Sequence, residues 1–188
     1  GNDRFLGVGN QPAEDMEACV ATSMGPEAVL TYFVHKNEPD LCQHLKDKAS
    51  YIDRLRRMAK FTSVLKLSDE DLKYIIPDTT VEDAFDKLYE KAGAQLMILT
   101  KGSEGSSVRT PNGQFDVKAV VADPFQDTIG AGDTFMGTIL VELYKLNLSV
   151  DDLSRLPLKK LKVMVERASR AAALNCQTAG CNPPYGEI

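Results

Sequence analysis

An α/β architecture built on a mostly parallel sheet is what this sequence predicts, and three features predict it. Short apolar runs at Ala28 to Val34, Ser63 to Lys66 and Gln95 to Thr100 read as buried strands. They alternate with apolar residues at helical spacing over Pro12 to Ser23, Leu45 to Met58 and Thr80 to Ala92, where Thr80 is a natural N-cap ahead of Glu82 and Asp83. The run Gln95 to Thr100 is apolar at consecutive positions, as a strand covered by helices on both faces requires.

After Thr100 the pattern changes. Ser107 to Thr110 and Gln114 to Val117 flank Pro111-Asn112-Gly113, a turn signal that predicts a small hairpin. Two helices follow. The first, Ala131 to Leu146, is apolar nearly all round and is expected to be deeply buried. The second runs from Pro157 to Cys176, with Leu158, Leu161, Met164, Val165, Ala168, Ala171 and Ala172 on one face. No repeat, low-complexity tract or Gly/Pro/Ser-rich linker divides the chain, so one domain is expected.

Composition excludes several functions. Asp plus Glu (27) outnumber Lys plus Arg (22) and no basic block is present, which argues against a nucleic-acid partner. Cys19, Cys42, Cys176 and Cys181 form no Cys-x-x-Cys pair, and Cys42-Gln43-His44 has no second ligand pair, so reduced thiols in a cytoplasmic protein are expected. Neither His35 nor His44 lies in a nucleophile–base setting, which disfavours hydrolase triads. The first residues lack a signal-peptide core and no apolar run reaches the ~18 residues of a membrane span, so a soluble protein without a membrane partner is expected.

The most informative stretch is Asp127-Thr128-Ile129-Gly130-Ala131-Gly132-Asp133-Thr134-Phe135, which opens the first of the two late helices. A helix N-terminus presents unpaired N–H groups and a partial positive charge, and glycines let a phosphate approach the backbone, so Gly130, Ala131 and Gly132 could form an anion hole. Asp133, kept ionised by the same dipole, could accept the proton of an attacking hydroxyl. A tight glycine turn with an acidic helix start explains Gly-Ala-Gly alone equally well.

As a whole the stretch closely resembles the Asp-Thr-x-Gly-Ala-Gly-Asp-x-Phe signature of ribokinase/PfkB-type carbohydrate kinases. Thr100-Lys101-Gly102-Ser103-Glu104-Gly105, placed after a buried strand, resembles that family's nucleotide loop, which implies nucleotide contacts from Thr100, Lys101, Gly102 and Gly105. Lys66-Leu67-Ser68-Asp69-Glu70-Asp71-Leu72 resembles the segment in which members carry Asn-x-x-Glu to hold phosphate and magnesium-bound waters. The resemblance gives those roles to Ser68 and Asp71, with Lys66 beside them. A helix N-cap at Ser68 with acidic followers explains the same letters, and the two readings stand level. Ala171 to Pro184 looks like the family's closing helix and adenine-side loop, which would put Ser169 beside the base, although small residues there serve helix packing equally.

This resemblance implies a ribokinase-like three-layer αβα sandwich lacking its N-terminal strands and lid, and ATP, Mg2+ and K+ as cofactors. The K+ would sit beside Asp127 and the carbonyl of Ile129. Asp133 would be the base in phosphoryl transfer to a sugar hydroxyl. Arg54-Leu55-Arg56-Arg57-Met58 followed by Lys66 to Asp71 looks like the fructokinase branch and favours fructose, with 2-keto-3-deoxygluconate or ribose as alternatives. The chain matches only the later part of a typical member. At one strand end His35-Lys36-Asn37-Glu38-Pro39 keeps only Asn37 of the Asp-x-Asn-x-Arg found in many relatives. A truncated kinase, an incomplete record of one and a naturally short protein all fit, and a non-catalytic nucleotide-binding fragment or subunit is the competing function. The sheet edge left bare by the missing strands implies a homo-oligomer or association with the missing N-terminal portion.

Overall fold

The computed structural model of the chain describes residues 48–148 and 150–185. The strand expected at Ala28 to Val34, the helix at Pro12 to Ser23, the start of the helix from Leu45, Asn37, His35, His44, Cys19 and Cys42 lie outside the described residues. The chain divides into two compact units, up to Met97 and from Ile98 onward.

In the first unit, helix α1 (Lys48–Ala59) precedes strand β1 (Val64–Ser68), helices α2 (Asp69–Ile75) and α3 (Val81–Lys91), and the start of strand β2 (Leu96–Thr100). Ser63 O accepts the amides of Gln95 and Leu96 at 2.8 and 3.1 Å, which sets the start of β2 beside the start of β1. Helix-bearing crossovers of this kind are what neighbouring parallel strands need. Leu65, Leu67, Leu72, Ile75, Phe85 and Leu88 form the core, with Leu72 fully buried. Thr80 caps α3 by accepting Asp83 N at 3.1 Å. Arg56 donates to Ile75 O at 2.8 Å, satisfying a carbonyl at the end of α2. Between β1 and α3 the sequence offered a helix only as one of two level readings of Ser68 to Asp71. Helix α2 is short and follows β1 directly, so its start shows only in the cap at Ser68.

In the second unit, the end of β2 leads through a 3₁₀ turn (Gly102–Glu104) into strands β3 (Ser106–Thr110) and β4 (Gly113–Val117). In this unit the strand order is β2-β3-β4. Strands β3 and β4 pair antiparallel, Val108 opposite Phe115 and Thr110 opposite Gly113, so the hairpin expected around Pro111-Asn112-Gly113 is present with Gly113 inside the second strand. Asn112 Nδ2 fastens the turn to the carbonyls of Ser154 and Leu156 at 2.5 and 3.3 Å. Helices α4 (Ala131–Lys145), α5 (Val150–Leu153) and α6 (Leu158–Asn175) complete the unit. The one-turn α5, too short to show periodicity, adds a third helix to the two expected.

Helix α4 corrects a second expectation. It packs on α6 through Phe135, Met136, Ile139 and Leu143, but Val141 is 51% and Tyr144 79% exposed, so α4 is buried on one face only. Apolar composition overstated its burial because a two-helix contact covers one stripe of a helix. Between the exposed edges of α4 and α6, Glu142 accepts from Arg167 at 2.8 Å and from Lys145 at 3.2 Å. Partial burial alone would raise the Glu142 carboxyl, but the two hydrogen-bonded cations outweigh it and hold it below its ordinary 4.5.

Leu72→Ala should cost about 2–5 kcal/mol and Thr80→Ala about 1 kcal/mol in urea unfolding, whereas Tyr144→Ala should stay within about 0.5 kcal/mol. The depressed Glu142 carboxyl contributes stability that is complete above 4.5 and is lost as pH falls through its lower folded value. The melting temperature of Glu142→Gln should therefore fall less steeply below that pH than that of the wild type.

Candidate active site

The start of α4 is held in place by its own sequence and by the chain after α6. Gly130, its N-cap, is left-handed at φ 78°. A Cβ there would collide with Cys181 Sγ and sit 2.8 Å from Cys181 Cβ, so glycine is required both by conformation and by close approach. Asp127 ties two loops together: Oδ1 accepts Ile129 N at 2.8 Å and Oδ2 accepts Gly180 N at 2.7 Å. Gln126 N donates to Cys176 O at 2.8 Å and Gln177 Nε2 to Asp123 O at 3.1 Å.

Asn175, at the end of α6 and 0% exposed, sits at the centre of this arrangement. Its Nδ2 donates to Ile129 O at 2.7 Å, while its Oδ1 accepts Asn182 N at 2.9 Å and Thr134 Oγ1 at 3.3 Å. Both acceptor sites of the amide are thereby used, along with one donor. Neither this role nor the packing of Cys181 on Gly130 was read from the sequence. The signal available was a polar residue continuing the buried row of Ala168 and Ala171.

Of the three amides expected in the anion hole, Ala131 N donates to Thr128 O at 3.1 Å and closes the turn. The amides of Gly130, Gly132 and Asp133 have no hydrogen-bond partner among the described residues. Asp133 lies exposed in the first turn of α4, so its carboxylate and these N–H groups share one helix end. Such an end can hold an oxyanion and receive a proton beside it. Burial first, and then the Asp127 carboxylate, push the Cys176 thiol above its ordinary value, which keeps it protonated. Cys176 and Cys181 are both free thiols.

The loop expected to carry nucleotide is a tight turn. Gly105 O accepts Lys101 N at 2.8 Å, and Lys101 O accepts Glu104 N at 3.0 Å. Gly102 and Gly105 have φ of 54° and 98°. Gly102 is exposed, whereas Gly105 is buried and a Cβ there would sit 2.8 Å from Ala119 N. Thr100 and Lys101 are half-buried. Ser169 lies on the buried side of α6, 9% exposed among Ala168 and Val165.

In the first unit, Ser68 and Asp71 form a reciprocal capping box at the start of α2: Asp71 N donates to Ser68 Oγ and Ser68 N to Asp71 Oδ2, both at 3.0 Å. This is the N-cap reading of these residues. It leaves the second carboxylate oxygen of Asp71 outside the box, so a magnesium-bound water there is compatible with the cap. Lys66 is half-buried on β1. Among the described residues no three His, Cys, Asp or Glu side chains gather as a metal site. The Asp127 oxygens and the Ile129 carbonyl each accept one N–H and retain a lone pair, so a monovalent cation would share them.

No helix among the described residues is long and apolar enough to cross a membrane. A fructokinase of Rhizobium leguminosarum bv. trifolii is 38% identical over 104 residues, 55% of this chain and 31% of that protein, so the chain spans about a third of this relative's length. A fructokinase from Vibrio cholerae O395, solved with fructose, ADP and calcium ion, superposes with a TM-score of 0.57 at 26% identity, over 70% of this chain and 40% of that one. An aminoimidazole riboside kinase from Salmonella enterica, complexed with aminoimidazole riboside and an ATP analogue, reaches 0.61 at 24% identity over 71% and 42%, and shares the ribokinase-like α/β fold. The model of the pfkB family carbohydrate kinases matches residues 26–187, and with that span, which includes the whole of the α4 entry, the chain belongs to this family.

Proposed function

We propose that this chain carries, as a partial nucleotide-binding and catalytic domain, the phosphoryl-transfer machinery of an ATP-dependent sugar kinase, with fructose as the favoured acceptor. The observation that carries this reading is the helix end at Gly130 to Asp133, where three amides without a partner among the described residues and a carboxylate sit together. Family membership and the fructokinase relatives support the sugar and the nucleotide.

In this reading the sugar hydroxyl attacks the γ-phosphorus of ATP while Asp133 accepts its proton. The new P–O bond forms as the bond to the ADP oxygen breaks, and the amides of Gly130 and Gly132 stabilise the charge on the transferred group. Magnesium bound with ATP would neutralise phosphate charge, with Ser68, Asp71 and Lys66 the residues proposed to approach it. Thr100, Lys101, Gly102 and Gly105 are proposed to line the nucleotide, Ser169 to lie beside its base, and Asp127 and Ile129 to flank a K+.

The test is a coupled ATP-consumption assay with fructose, 2-keto-3-deoxygluconate and ribose. Asp133→Asn should lose about 10²–10⁴-fold in sugar-dependent turnover while its nucleotide affinity is unchanged, because only the base is removed. Nucleotide binding without turnover on any sugar by the wild type would instead make the chain a binding module, and equal turnover by the two proteins would rule out Asp133 as base. Gly130→Ala, which forces a side chain into Cys181 at a positive φ, should lose nucleotide binding and turnover together, measured by titration calorimetry and the same assay.

A further inference from the structure

We propose that Asn175 is a positioning residue for the anion hole: by holding the carbonyl of Ile129 inward it aims the amide of Gly130 outward at the phosphoryl group. The inference rests on the reading of the α4 N-terminus as a phosphate site. A trans peptide is planar, so the C=O of Ile129 and the N–H of Gly130 belong to one rigid unit and point in opposite directions. Whatever fixes the carbonyl therefore fixes the amide.

Asn175 Nδ2 holds that carbonyl at 2.7 Å from a fully buried position. The amide at the other end of the unit belongs to a half-exposed glycine and has no partner among the described residues. Glycine at φ 78° has wide freedom to rotate, so its own backbone gives little resistance to a flip of this peptide. Asn175 is itself locked from the other side, since Oδ1 accepts from Thr134 Oγ1 and Asn182 N. Its head group thus cannot exchange donor for acceptor without breaking both bonds. An aspartate of the same shape would keep the two accepted bonds but, when ionised, would present an oxygen to the Ile129 carbonyl and repel it.

The test compares the full chain carrying Asn175→Asp or Thr134→Val with the wild type. MgADP affinity is measured by titration calorimetry, and the Gly130 amide resonance is followed by NMR without nucleotide. At about pH 8 Asn175→Asp should bind MgADP about ten- to a hundredfold more weakly, the value of one lost charge-assisted hydrogen bond. Its Gly130 resonance should be displaced. Thr134→Val removes one bond from the opposite side of the same amide while the Asn182 N bond still holds the head group, so it should lower the melting temperature yet leave affinity and the Gly130 resonance in place.

Equal losses of affinity in the two variants, or an unmoved Gly130 resonance in Asn175→Asp, would overturn the proposal. Should Asn175→Asp not fold, Asn175→Ser removes the bridge without burying a charge and is read against Thr134→Val in the same way. A wild type that binds no MgADP would remove the nucleotide reading, while the Gly130 resonance across the variants would still decide whether Asn175 positions the peptide.

Discussion

The site depends on a tie between two segments far apart in sequence, residues 123–134 and 175–182. Asp127 and Asn175 each bond to both segments, and together they account for five hydrogen bonds, those to Ile129 N, Gly180 N, Ile129 O, Thr134 Oγ1 and Asn182 N. Without this tie the turn before α4 would be an exposed loop ending in a left-handed glycine. With it, a carboxylate and an amide side chain take up backbone groups that would otherwise be unsatisfied, and the helix end is held open toward solvent.

In the proposed reading this rigidity matters, because phosphoryl transfer leaves a protein little covalent chemistry to do. Donors fixed in advance stabilise developing charge without reorganising at the moment of reaction, and the benefit vanishes if they must first be ordered. The packing of α4 on α6 through Phe135, Ile139, Met164 and Val165 supplies the scaffold, and the end of α6 supplies Asn175. The helix that braces the core is the one that orients the site, so damage to that packing would reach the chemistry through a few identifiable hydrogen bonds.

Much of this was legible in the sequence because the signals are local. The consecutive apolar residues of β2, the Thr80 cap, the Pro-Asn-Gly turn and the Gly-Ala-Gly-Asp helix start each act within a few residues and are found close to where their patterns put them. Other features were not legible. The capping box of Ser68 and Asp71 satisfies the letters of a magnesium motif and of a helix start equally, and only coordinates show the two reciprocal bonds. The one-sided burial of α4 follows from which neighbours it meets, a property its composition does not hold. The role of Asn175 depends on bonds to residues up to 46 positions away, beyond the reach of any spacing rule. Ala131, read as part of the anion hole, uses its amide to close the turn, which leaves the amides of Gly130, Gly132 and Asp133 without a partner among the described residues.

The central claim is that this helix end receives phosphate. The most direct measurement is a ¹⁵N–¹H titration of the full chain with MgADP, following each backbone amide. The account predicts the largest displacements at Gly130, Gly132 and Asp133, with Ala131 moving less because its N–H is already bonded to Thr128. Saturable binding that leaves these amides unmoved and shifts residues elsewhere would contradict it.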